Sequence, residues 1–72
     1  MQSRNIVKET RLRLDLTIAE ISVVSGCSSN TLVMVEKHNY LPKLRTRQKI
    51  ADALKVDVST LWPDVTEGGN NE

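Results

Sequence analysis

Residues 17–37 read TIAEISVVSGCSSNTLVMVEK, and this stretch decides the fold. Thr17 is suited to cap a helix, because its hydroxyl can accept a hydrogen bond from a free amide of the first turn. Glu20, three residues on, completes a capping box. Ile21 and either Val24 or Ser25 then face inward. Gly26 ends the helix in the left-handed conformation that Gly adopts without steric cost. Ser28 caps a second helix that runs to about Lys37, with Leu32 and Val35 inward. Ser22, four residues before Gly26, is small where two such helices must cross closely. Two short helices joined by a tight one-glycine turn, with apolar positions that fix their angle, meet the physical specification of a helix-turn-helix. In such a motif the second helix enters the major groove of DNA and offers its N-terminal, outward residues to base edges.

Working outward, a preceding helix is expected from about Arg4 to Leu14, capped by Ser3. Val7, Thr10, Arg11 and Leu14 share one of its faces, with Ile6 beside them. On the other side, His38–Lys43 reads as a loop, since Pro42 disfavours helix just before it. A further helix from about Leu44 to Leu54 places Leu44, Ile50, Ala51 and Leu54 inward. Asp57 caps a short last helix through Trp62, stopped by Pro63. Spacings of three and four recur and period-two alternation is weak, so the expected fold class is all-α with five helices. The domain is expected to span residues 1–65. Residues 66–72, TEGGNNE, read as a polar, disordered tail.

Seventy-two residues allow one domain with a small core, so oligomerisation is a natural further source of stability. The net charge of +1 hides an asymmetry: residues 1–62 hold all ten Lys and Arg but only six of the nine acids. A basic body of this kind suits a polyanionic partner. The single cysteine, Cys27, excludes an intrachain disulfide and fits a reducing cytoplasm. No apolar run reaches the length needed to span a bilayer, and the N-terminus does not read as a signal peptide. A cytoplasmic protein without a membrane partner is expected. One His, one Cys and no paired carboxylates give neither a catalytic set nor a metal-ligand set, so neither enzymatic activity nor a cofactor is expected.

Taken together, residues 6–62 resemble the Cro and lambda-repressor-like regulators, also called XRE-type. The matching elements are Arg11, the Leu16-Thr17 pair that opens the helix-turn-helix, Glu36, Pro42 after a short loop, and KIADALKVDVSTLW at 49–62. The resemblance implies a transcriptional regulator, a repressor by preference, of bacterial, phage or mobile-element origin. It implies binding to double-stranded DNA as a homodimer on an inverted repeat. It places Ser29, Asn30, Val33 and Met34 on the DNA-facing side of the second helix. Asn30 is the best base reader, since its amide can bond bidentately to adenine, while Val33 and Met34 can meet thymine methyls. Thr17 and Ser28 cap helices whose N-termini point at phosphates. Lys37, His38, Asn39 and Lys43 flank a loop that runs along the DNA backbone, with Arg45 and Arg47 adding long-range attraction. Arg11 and Glu36 imply a buried or half-buried structural ion pair. The dimer surface is expected at Val56, Val58, Leu61, Trp62 and Val65, anchored by Trp62; Trp62 closing the monomer core is the alternative.

Several residues depart from that family's pattern. Ile18 replaces a frequent Gln that contacts phosphate, and Asp15, His38 and Lys55 occupy frequent Gly positions. Asn39 is the better candidate than His38 for the left-handed conformation. Arg47 and Gln48 stand where apolar residues usually fill the core. Ile18, Val23, Val24, Val33 and Met34 make the outward side of the two helices unusually apolar. Exposed apolar clusters mark protein interfaces, so an alternative function is a protein-interaction module whose partner is a polymerase subunit, a toxin or another regulator.

Overall fold

The computed structural model describes residues 5–65. Within them the chain forms five helices and no strand: α1 (Ile6–Arg13), α2 (Ile18–Ser25), α3 (Ser29–His38), α4 (Leu44–Leu54) and α5 (Val58–Leu61). The all-α expectation holds, with helix ends close to those read from the caps. The expected Ser3 cap and the expected tail at 66–72 lie outside the described residues. The cap of α1 is Asn5, whose side chain accepts from the Lys8 amide at 2.9 Å, so the helix starts two residues later than expected. Asn5 also donates through Nδ2 to the carbonyls of Val35 and Glu36, which ties the start of α1 to α3.

The core forms where α4 packs on α2, α2 on α3, α4 on α5 and α1 on α3. Val7, Ile21, Leu32, Val35, Ile50, Ala51, Ala53, Leu54 and Leu61 are buried there. Leu32, Val35, Ile50 and Leu54 are the largest side chains fully removed from water, each worth about 1.5–3 kcal/mol. Of the two candidates for the inner face of α2, Ser25 turns inward and Val24 does not. The Ser25 hydroxyl accepts from the Cys27 amide at 3.1 Å and is thereby satisfied. Three positions differ from expectation. Leu14 is the C-cap of α1 and is exposed. Leu44, at the start of α4, is only half-buried. Leu61 is 3% exposed and completes the monomer core, so it is not available to a dimer partner.

Arg47 is a further correction. It is 6% exposed, and its Nε donates to the Pro42 carbonyl at 2.9 Å. Its guanidinium therefore lies inside the fold and cannot reach a phosphate directly. It braces the loop before α4 instead. Among the described residues, three other than glycine adopt positive φ, namely Asp15 (60°), Asn39 (53°) and Lys55 (60°). Asn39 and Lys55 end α3 and α4, and Asp15 closes the turn after α1. Among the described residues, no helix is long and apolar enough to cross a membrane.

Candidate nucleic-acid interface

The connection between α2 and α3 is built from short polar side chains. α2 opens on a complete capping box: Thr17 Oγ1 accepts from the Glu20 amide at 3.0 Å, and Glu20 Oε1 accepts from the Thr17 amide at 2.8 Å. α2 closes at Gly26, with φ 78° and its amide donating to the Ser22 carbonyl at 2.9 Å. The Ser22 hydroxyl donates across the turn to the Cys27 carbonyl at 2.6 Å. Ser28 then caps α3, accepting from the Thr31 amide at 3.1 Å. These bonds fix α3 against α2 through local chemistry, and Ile21, Leu32 and Val35 hold the pair onto the core.

A second clamp holds the far end of α3. Arg11 and Glu36 form a bidentate pair, Nε to Oε2 at 2.7 Å and Nη2 to Oε1 at 2.9 Å. Their side chains are 12% and 4% exposed. The remaining Arg11 nitrogen, Nη1, donates to the Leu16 carbonyl at 2.7 Å. One guanidinium thus joins α1, α3 and the turn into α2. The hydrogen bond to Glu36 raises the Arg11 pKa above its ordinary value, so the group is charged at every working pH.

With α3 pinned along one side, the opposite side is set by the 3.6-residue period. Leu32, Val35 and Glu36 are buried. Ser29, Asn30, Met34 and Lys37 are exposed, and Val33 is half-buried beside them. The structure thus brings five of the sequence-predicted site residues onto one outward stripe. Other expected site residues are arranged differently. The Thr17 and Ser28 hydroxyls are engaged in their caps, and the Glu20 carboxylate occupies the N-terminus of α2. A negative charge there opposes a phosphate at the same place. The Asn39 side-chain oxygen accepts from Asn5 Nδ2 at 3.2 Å. Lys43 is exposed at the N-cap of α4, without a side-chain capping bond.

Of the proposed dimer residues, Val56, Val58 and Trp62 are half-buried and pack against the core, and Val65 is half-buried. Trp62 and Val65 line a cavity of about 180 Å³ together with Tyr40 and Leu41, both exposed. The apolar outward cluster is narrower than expected: Ile18 packs partly on the core, whereas Val23 is 83% and Val24 69% exposed. Cys27 is a free thiol packed partly against the core. Among the described residues, no three His, Cys, Asp or Glu side chains are placed to hold a metal ion.

Sequence reasoning missed Asn5 and the buried role of Arg47. For Arg47 the signal was present, because residues 47, 50, 51 and 54 form one continuous helical stripe. For Asn5 it was not, since two of its bonds reach carbonyls 30 and 31 residues away. Comparison with known protein families and with curated proteins gives no match for this chain.

Proposed function

We propose that this chain is a sequence-specific DNA-binding transcriptional regulator of the lambda-repressor-like type, acting as a repressor and working in the cytoplasm. In this reading α2 and α3 are a helix-turn-helix and α3 is the recognition helix. The observation that carries the reading is the stripe of α3. Its first two turns present Ser29, Asn30 and Met34 to solvent from a capped N-terminus, while the opposite side is locked to the core and to Arg11. A helix held rigidly by one side and open on the other fits a major groove about 12 Å wide. Lys37 and Lys43 supply phosphate contacts, which position the protein without reading sequence. A homodimer would set two such helices in successive grooves of an inverted repeat. Its proposed surface is the half-buried set Val56, Val58, Trp62 and Val65, without Leu61.

The test is retention on random duplex DNA over a salt series. Phosphate binding requires log affinity to fall linearly with log salt concentration. Absence of retention at low salt rejects the proposal. On a selected site, Asn30→Ala is expected to cost about 1–3 kcal/mol while leaving retention on random DNA unchanged. Equal losses on both would remove Asn30 from the base readers.

The strong exposure of Val23 and Val24 on α2 favours a second reading, a protein-interaction module on the same scaffold. That reading expects no salt-dependent DNA retention and a loss of partner binding in Val23→Ser.

A further inference from the structure

We infer that the DNA site read by α3 is rich in A·T pairs, with an adenine read by Asn30 and thymine C5 methyl groups read by Val33 and Met34. This rests on α3 being the recognition helix, and it assigns the chemical class of its target.

The inference comes from what the outward stripe offers and what it lacks. Reading guanine in the major groove calls for Arg or Lys on the O6 and N7 acceptors, and reading cytosine calls for a carboxylate on N4. From Ser29 to Val35 the helix contains no Arg, Lys, Asp, Glu or Gln. Its first charged residue, Glu36, is buried in the pair with Arg11. Lys37 follows in the last turn, away from the N-terminal end that meets the bases. The hydroxyls are reduced as well. Ser28 Oγ and Thr31 Oγ1 bond each other at 2.9 Å, and Thr31 is half-buried. Ser29 and Asn30 are the polar groups left exposed at the start of the helix. Ser29 carries no preference between base types, whereas an amide is matched to adenine N6 and N7.

The apolar positions complete the pattern. Val33 and Met34 lie three and four residues after Asn30, on the same face of α3. Met34 is 38% exposed although it stands between two exposed polar residues of the stripe, Asn30 and Lys37. At a rise of about 1.5 Å per residue, they stand about 4.5 and 6 Å beyond Asn30 along the axis. Those distances are one to two base-pair steps of about 3.4 Å. Thymine methyls are the apolar groups that the major groove of unmodified DNA displays. The same exposure that on another surface would suit a protein partner is here matched by those methyls, with the Lys37 ammonium at the end of the stripe for a phosphate.

The experiment begins with selection of bound sites from a duplex library randomised over about 20 base pairs, two grooves of a B-form helix, using the full chain. Each thymine in the recovered half-site is then replaced by deoxyuridine, which removes the methyl and leaves the Watson–Crick pair. A·T-rich half-sites are expected, and affinity is expected to fall about fourfold for each buried methyl that is removed (about 0.8 kcal/mol). Met34→Ala, at an exposed position, is expected to bring the thymine-to-uracil ratio toward one at one position of the site. Recovery of G·C-rich half-sites, equal affinity for thymine and uracil duplexes, or a ratio unchanged in Met34→Ala would each overturn the inference and leave DNA binding standing. No retention on the random library would overturn both it and the reading beneath it.

Discussion

Arg11 shows how one side chain can set the aim of a helix. Its three hydrogen bonds reach the Glu36 carboxylate on α3 and the Leu16 carbonyl before α2. Removing the guanidinium leaves Glu36 almost fully buried without its partner. Breaking a buried pair in this way costs about 3–5 kcal/mol, whereas replacing both partners by apolar residues of similar size is close to neutral. Arg11→Ala is therefore expected to lower stability by about 3 kcal/mol or more, measured by urea unfolding. Arg11→Met combined with Glu36→Leu is expected to recover most of that loss. Equal destabilisation by the single and double variants would show that the pair matters through packing. The pair was legible in the sequence only by resemblance, since nothing local links positions 25 residues apart. Asn5 marks the same limit more sharply: its capping role is local, but its bonds to α3 depend on where the chain returns.

At the scale of the element, the turn between α2 and α3 is specified almost entirely by neighbours in sequence. The caps at Thr17 and Ser28, the stop at Gly26 and the Ser22 hydroxyl each act over five residues or fewer. This explains why residues 17–37 could be read from the chain. A Cβ built at Gly26 would meet nothing within 4 Å, so glycine is required there for its φ of 78° and not for space. Gly26→Ala is accordingly expected to cost about 1–2 kcal/mol, and Gly26→Asn distinctly less, because Asn tolerates the left-handed region. A thermal melt of both variants checks this, and equal losses would point to a steric cause. The same logic resolves the inner face of α2. Val24 and Ser25 are adjacent and both lie near the inward stripe, and periodicity does not choose between them. Ser25 is inward because the turn supplies its hydroxyl with a partner.

Across the whole molecule, the described chain measures 32 × 31 × 20 Å, and its core rests on nine buried apolar residues. A core of that size makes the half-buried surface around Trp62 a natural place for a second copy, because aromatic residues are enriched in interface cores. In the proposed homodimer, Trp62→Ala is expected to shift sedimentation from dimer to monomer while the helical circular dichroism is kept. A folded dimer of unchanged affinity would locate the interface elsewhere. Leu61→Ala serves as the contrast. It empties a core position and is expected to cost about 2–5 kcal/mol of stability in the monomer itself.

The sequence by itself determined the five helices, the caps at Thr17 and Ser28 (Asp57 precedes α5 but makes no side-chain capping bond), the left-handed stop at Gly26 and the inward positions Ile21, Leu32, Val35, Ile50, Ala51 and Leu54. These follow from hydrogen bonds within a turn and from a period that repeats along one helix. Only the tertiary structure decided that Leu61 belongs to the core and that Asn5 ties α1 to α3. It also decided that Ile18 and Val33 are half-buried while Val23 and Val24 remain outward. Those outcomes depend on which carbonyls and side chains a distant segment brings within reach, and no local pattern encodes that.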